Sequence, residues 1–341
     1  MSLVADPPPA VPTSQASPAP PASPAHRAPA AWVPGRLEPA HYEPPRVPPE
    51  VRRHSAVPDT LGVGRPGKVG LLELGFERRG GRTELVRHYQ KSPLQIMRPL
   101  YFDPHRPDLP VTFLMSTGGG VIQADRLRLD LDFGPGTAAH VTTQAATKIY
   151  RMEYDYAVQQ TFLSAGAEAY VEYLPDPVIP YVDSRFYQRT VITADPSATV
   201  LASETVLAGR LARGERHAYA VFASDFEVRR PGGDLVALDT VRLEPGGAGV
   251  SGPAVLGGHA VMACFFVLTP LAPAREVADL LHAALADSGL LYGVSVLPRE
   301  CGAWVRILGE RSEPVTRALA GVWNSVRLRL TGAPAPALRK T

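Results

Sequence analysis

Residues 126–144 read RLRLDLDFGPGTAAHVTTQ. Leu127, Leu129, Leu131 and Phe133 alternate with polar residues, the period of a half-buried strand, and AAHVTTQ reads as a second strand after the Gly-Pro-Gly break. Similar segments recur on both sides: GKVGLLELGFERRG, RTELVRHYQ and LPVTFLMST before it, then AVQQTFLS, AEAYVEYL, RFYQRTVIT, ATVLASETV, HAYAVFASDFEVRR and DLVALDTVRL after it. A strand every ten to fifteen residues or so, with no helical stretch between, predicts a mainly β body of sandwich, barrel or β-helix type. No internal repeat of fixed spacing is visible.

Helical period appears only late. In residues 273–288 the apolar positions Val277, Leu280, Leu281, Ala284 and Leu285 share one face, and Gly289 is a plausible stop. In 313–328, after the Ser312-Glu313-Pro314 start, Val315, Leu319, Val322, Trp323 and Val326 form the stripe. Two helices packed on the β body are expected, with SVLPRECGAWVRILG between them as a strand pair in a small α+β addition.

Residues 1–66 differ in kind. Roughly half of the 36 prolines fall there among Ala and Ser, so the segment is expected to be a disordered tail. The folded domain is expected over 67–335 and a short flexible tail over 336–341. A net charge of +2 with arginines interspersed among carboxylates carries no nucleic-acid signature. Cys264 and Cys301 sit apart in apolar surroundings, which favours free thiols in a reducing cytosol over a disulfide framework. Met1–Asp6 lacks the start of a signal peptide, and no stretch has the apolar length of a membrane span, so a cytoplasmic location is expected.

Three polar clusters lie between Val141 and Glu215: VTTQAATKIYR, VEYLPDPVIPYVDSRFYQRT and LASETVLAGRLARGE. None forms a catalytic triad. The nine histidines show no HxH, HxxxH or HExxH pairing and neither cysteine has a CxxC partner, so a permanent metal centre has little support. STGGGVIQADRL lacks the GK[ST] ending of a phosphate loop and reads as a turn, with Asp125 holding it. Thr147 and Lys148 in TTQAATK read as part of a polar seam, with Lys148 and Arg151 pairing nearby carboxylates. Glu172, Asp176, Asp183, Glu204 and Asp239 leave open a carboxylate pair for glycoside hydrolysis, the alternative reading as a β-helical carbohydrate-active enzyme. Glu204 is unusual, because a carboxylate inside the apolar run VLASETVLAG is costly unless it is paired or faces a wet cavity.

Taken in order, GLLELGFERRGGRTEL, SPLQIMRPLY, TGGGVIQADRLRLDLDFGPGTAAHVTTQAATKIYR, EYLPDPVIPY, ETVLAGRLARGE and the W..VR..L pattern at Trp323–Leu330 resemble the UreD family of urease accessory proteins, also called UreH. The resemblance runs from about Gly70 to Leu330 and leaves out the Pro-rich segment. It implies a β-helix-like fold decorated by helices, and a scaffold instead of an enzyme. It further implies binding to the urease apoprotein and to the helical accessory protein UreF, which recruits the GTPase UreG, with the complex able to form a homodimer. An internal tunnel would conduct Ni²⁺ transiently towards the nascent urease site, with no permanently bound cofactor. Tunnel positions of the family fall on Thr147, Glu204 and Asp239, all oxygen donors suited to a hard or borderline cation. The family often has Asp at the Glu204 position and Glu at the Asp239 position, Ala124 stands where glycine is common, and the chain ends PALRKT instead of a PRxW-like tail.

Overall fold

The computed structural model describes residues 35–36, 38–56, 68–246 and 249–338. The alternation in Arg126–Phe133 buries Leu127, Leu129, Leu131 and Phe133 on one face. Seven strands form a first sheet in the order Leu235–Leu243, Val221–Arg229, Arg185–Ala194, Ala157–Ala165, Arg126–Phe133, Val69–Arg79, Arg82–Lys91. Its five central strands are parallel, and only the two edge strands are antiparallel to their neighbours. A second sheet runs Leu291–Val296, Gly302–Gly309, Val261–Leu268, Thr199–Leu207, Tyr170–Tyr173, Ala138–Thr143, Val111–Ser116, Leu94–Gln95, with the short Val178–Pro180 and Thr147–Ile149 beside it.

Between residues 126 and 207 the long strands alternate between the sheets, with the short Thr147–Ile149 and Val178–Pro180 following their neighbours within the second sheet, so each alternation is one coil of a two-sheet β-solenoid. Coils stack at their turns: Gly136 N–H donates to Ala167 O, Tyr170 N–H to Thr137 O and Thr199 N–H to Ala169 O, each at 2.8 Å. Gly166 admits no side chain in that stack, since a Cβ would sit 2.9 Å from the Pro135 nitrogen. In-register partners Leu131, Leu163, Ile192 and Val228 recur roughly thirty residues apart, in the range of solenoid repeats. The interval varies because the loops at the opposite end differ in length, which hides the repeat from a search at fixed spacing.

Between the sheets lies the main core, where Phe76 and Phe133 stack with ring centroids 5.0 Å apart. A second core joins the other face of the second sheet to the helices Ala274–Leu285 and Ser312–Thr331 through Val277, Leu281, Val315, Val322 and Val326. Burying one such aliphatic side chain contributes about 1.5–3 kcal/mol. Both helices fall where the apolar stripes put them. The first ends at Leu285, ahead of Gly289, and the second is capped by Gly332 at φ +72°.

Two features depart from the expectations. Val261–Leu268, VMACFFVL, is a central strand buried along its whole length, and it was not anticipated because a strand covered on both faces shows no alternation. The described part of the Pro-rich segment, within 35–56, is not a loose tail but a strap on the outer face of the first sheet. Arg36 forms a buried ion pair with Glu73 and lies 3.9 Å above the Tyr89 ring; Gln160 donates to Tyr42 O at 2.9 Å. Val51, on the short helix Pro49–Arg52, is buried against Val158, Tyr187 and Val221. A few specific anchors outweigh the average composition of the segment. The remaining residues of 1–66, and 339–341 of the terminal tail, lie outside the described residues. Among the described residues no helix is long and apolar enough to cross a membrane.

Candidate functional site

A cavity of about 300 Å³ opens between the two sheets. It exists because inward positions change character from coil to coil. Leu127 and Leu129 pair in register with Gln159 and Thr161, which pair with Gln188 and Thr190; Gln188 then pairs with Ser224. The apolar parity of one strand thus becomes a polar row running along the solenoid axis.

Glu204 lies at the inner end of this row. Thr190 Oγ1 donates to its Oε1 and Ser224 Oγ to its Oε2, both at 2.8 Å, and Gln188 Nε2 donates to Ser224 Oγ at 3.2 Å. It has no ion-pair partner among the described residues. Protein encloses the carboxylate, and the surface it retains faces the cavity. Burial raises its pKa above the ordinary value and outweighs the hydroxyl donors, with the negative Asp239 adding to the rise. A buried acid with hydroxyl donors and no base gains from an incoming cation.

Thr147 lines the same cavity, where its strand Thr147–Ile149 meets Val178–Pro180. The glycine run Gly118–Gly120 also lines it. Val121 N–H donates to Lys148 O at 2.8 Å, and a Cβ on Gly120 would approach that oxygen to 2.7 Å, so glycine is required for the close contact. Asp125 holds the turn as expected, accepting from Ile122 N–H at 2.9 Å and from Lys68 N–H at 2.7 Å.

Asp239 lies on a second, narrower cavity of about 10 Å³ that shares Glu204, Gln188 and Thr205 with the first and adds Ser224, Met262 and Cys264. Glu204 therefore stands where the two meet, with Thr147 on one side and Asp239 on the other. Asp239 is not free: Arg306 Nη2 donates to its two oxygens at 2.6 and 2.7 Å. Burial pushes the Cys264 thiol up to about 12, so it stays protonated.

Of the other carboxylates considered for catalysis, only Asp176 lies on the large cavity. Asp176 accepts from Thr143 Oγ1 at 3.2 Å. Asp183 pairs with Arg151 at the surface, and Lys148 is exposed. Glu172 is sealed behind the second sheet, accepting from Tyr170 Oη at 2.7 Å and His140 Nδ1 at 2.8 Å, with Arg327 Nη1 at 3.3 Å. A further group, His41, Glu73 and Asp130, gathers under the strap with its ligand atoms within 4.8 Å of one another. Arg36 and Arg128 already neutralise its two carboxylates, so it reads as an ion-paired anchor. Sequence reasoning missed Gln159, Thr161, Gln188, Thr190, Ser224, Cys264 and Arg306. The available signal was polar residues on the inward parity of strands, which needs the pairing register to be recognised.

Residues 68–341 match the family model described as UreD urease accessory protein. This chain therefore belongs to the UreD family of urease accessory proteins. It is similar to urease accessory protein UreD 2 of Streptomyces griseus subsp. griseus, 59% identical over 288 residues that cover 84% of this chain and 98% of the relative. It is also similar to urease accessory protein UreD of Haloarcula marismortui, 40% identical over 84% of this chain and 94% of the relative. UreD 2 of Brucella suis biovar 1 is 36% identical over 84% and 96%. The UreD match begins at residue 68, so the strap precedes it.

Proposed function

We propose that this protein serves urease maturation as a cytoplasmic, non-catalytic scaffold that binds the urease apoprotein and passes Ni²⁺ through its interior towards the nascent active site. UreF and, through it, UreG are the other partners in this reading. Family membership supports the urease role. The single observation that carries the nickel path is Glu204, a half-buried carboxylate with no ion-pair partner among the described residues, at the junction of two cavities with Thr147 on one side and Asp239 on the other. An ion in transit needs oxygen contacts that hold it loosely, and hydroxyls and amides around one or two carboxylates supply them. Affinity capture of the tagged protein from cells that express urease and its accessory proteins tests the scaffold role. Recovery of urease together with UreF is the expected result, and capture of the accessory protein without urease contradicts the reading.

A further inference from the structure

Arg306 is a basic side chain bonded to two groups of the narrower cavity, Asp239 and Cys264, and neither the sequence motifs nor the family match assigns it a role. It lies in a row across the second sheet: Glu204 pairs in register with Cys264, and Cys264 with Arg306, on adjacent antiparallel strands. Asp239 faces this row from the first sheet. Arg306 Nη2 straddles the two Asp239 oxygens at 2.6 and 2.7 Å while Nε donates to Cys264 Sγ at 3.3 Å, so one guanidinium covers both groups beyond Glu204.

We propose that Arg306 is the gate residue at the Asp239 end of the cavity, and that a divalent cation passes there only by displacing its guanidinium from Asp239. This rests on the cavity being the Ni²⁺ path. Three observations support it. The space at Asp239 and Cys264, about 10 Å³, is about that of a single water and is too small for a hydrated divalent ion. The ion pair lies at the boundary with solvent, the Arg306 side chain being 33% exposed and that of Asp239 22%. There is also somewhere for Arg306 to go. Its guanidinium lies 5.2 Å from the Trp304 ring, and its in-register neighbour on the edge strand is the exposed Gly293, beside which an added Cβ would meet nothing within 4 Å. A divalent ion between Glu204 and Asp239 balances both carboxylates, one charge more than the guanidinium supplies, while Arg306 turns to water.

Cys264 reports on this closure directly. With Cys301→Ser it is the chain's single thiol, and its alkylation by iodoacetamide can be timed in the full-length protein. Arg306→Met keeps the side-chain stem and removes the charge; losing that cation disfavours the Cys264 thiolate, yet the opened contact should still speed alkylation at least about tenfold. Asp239→Asn, which loosens the same ion pair from the other side, should speed it as well and serves as the second route if Arg306→Met folds poorly. Equal rates in the parent and in the folded variants overturn the gate. Titration with NiSO₄ separates the two levels of the argument. Arg306→Met should bind Ni²⁺ about tenfold more tightly than the parent, the gain disappearing when Glu204→Ala is added. Faster alkylation with unchanged Ni²⁺ binding would overturn displacement by the cation and the nickel path beneath it, and would leave only a closure.

Discussion

Arg327 is the most demanding residue in the fold, and its replacement by Met is the sharpest test of how the helices are held to the solenoid. Its side chain is 0% exposed, as are those of its partners Asp103 and Glu172. Arg327→Met keeps most of the apolar volume beside Trp323 and leaves two buried carboxylates, with His140 Nδ1 and Tyr170 Oη as the remaining partners of Glu172. Breaking a buried pair by removing one partner costs about 3–5 kcal/mol. Against a typical total stability of about 5–15 kcal/mol, that is a drop on the order of 10 °C in melting temperature. Urea unfolding should show the midpoint falling with an unchanged slope. Adding Asp103→Asn and Glu172→Gln should restore much of the loss, because no uncompensated charge then remains. A loss below about 1 kcal/mol for the single variant would refute the reasoning, since only a solvent-screened pair behaves that way.

Four further outcomes follow from the same structure. Burial raises the pKa of Glu172, yet the His140 hydrogen bond and the charges of His140 and Arg327 outweigh it and leave the value below 4.5. Its contribution to stability is therefore complete above pH 4.5 and lost as pH falls through the lowered value, which acid unfolding of the parent and of Glu172→Gln will compare. Glu204 has the opposite sign: its raised pKa removes stability as pH climbs from 4.5 upward, so Glu204→Gln should raise the melting temperature at pH 7 and flatten the pH profile. Gly120→Ala should cost about 1–3 kcal/mol in urea unfolding, because the Lys148 carbonyl must move to admit the Cβ. Val51→Ala should release the strap at a cost of about 1–2 kcal/mol, seen as faster amide hydrogen exchange in residues 38–56 with the solenoid amides unchanged.

Legibility in the sequence followed burial geometry. Arg126–Phe133 and its relatives were readable because one face meets the core and the other is polar, and the two helices because each has a single apolar stripe. Val261–Leu268 was not, because a strand covered on both faces carries no periodic signal. The strap was obscured by proline content, although Arg36, Tyr42 and Val51 bind it in place. Glu204 stood out as a carboxylate in an apolar run, whereas Gln188, Thr190 and Ser224 around it come together only through strand register. Thr147 and Asp239 are visible in the sequence as a seam hydroxyl and a candidate carboxylate, and only the resemblance joins them to Glu204. The structure places them on either side of Glu204, and it adds the Arg306 ion pair that no local pattern in the Gly302–Gly309 strand announces.

The most direct test of the account is nickel loading of urease in a reconstituted activation mixture, comparing the parent with a Glu204→Ala, Asp239→Ala double variant. The account predicts that the double variant assembles with urease and the other accessory proteins as the parent does, while the nickel content and activity of the urease fall together. Full nickel loading by the double variant would contradict it.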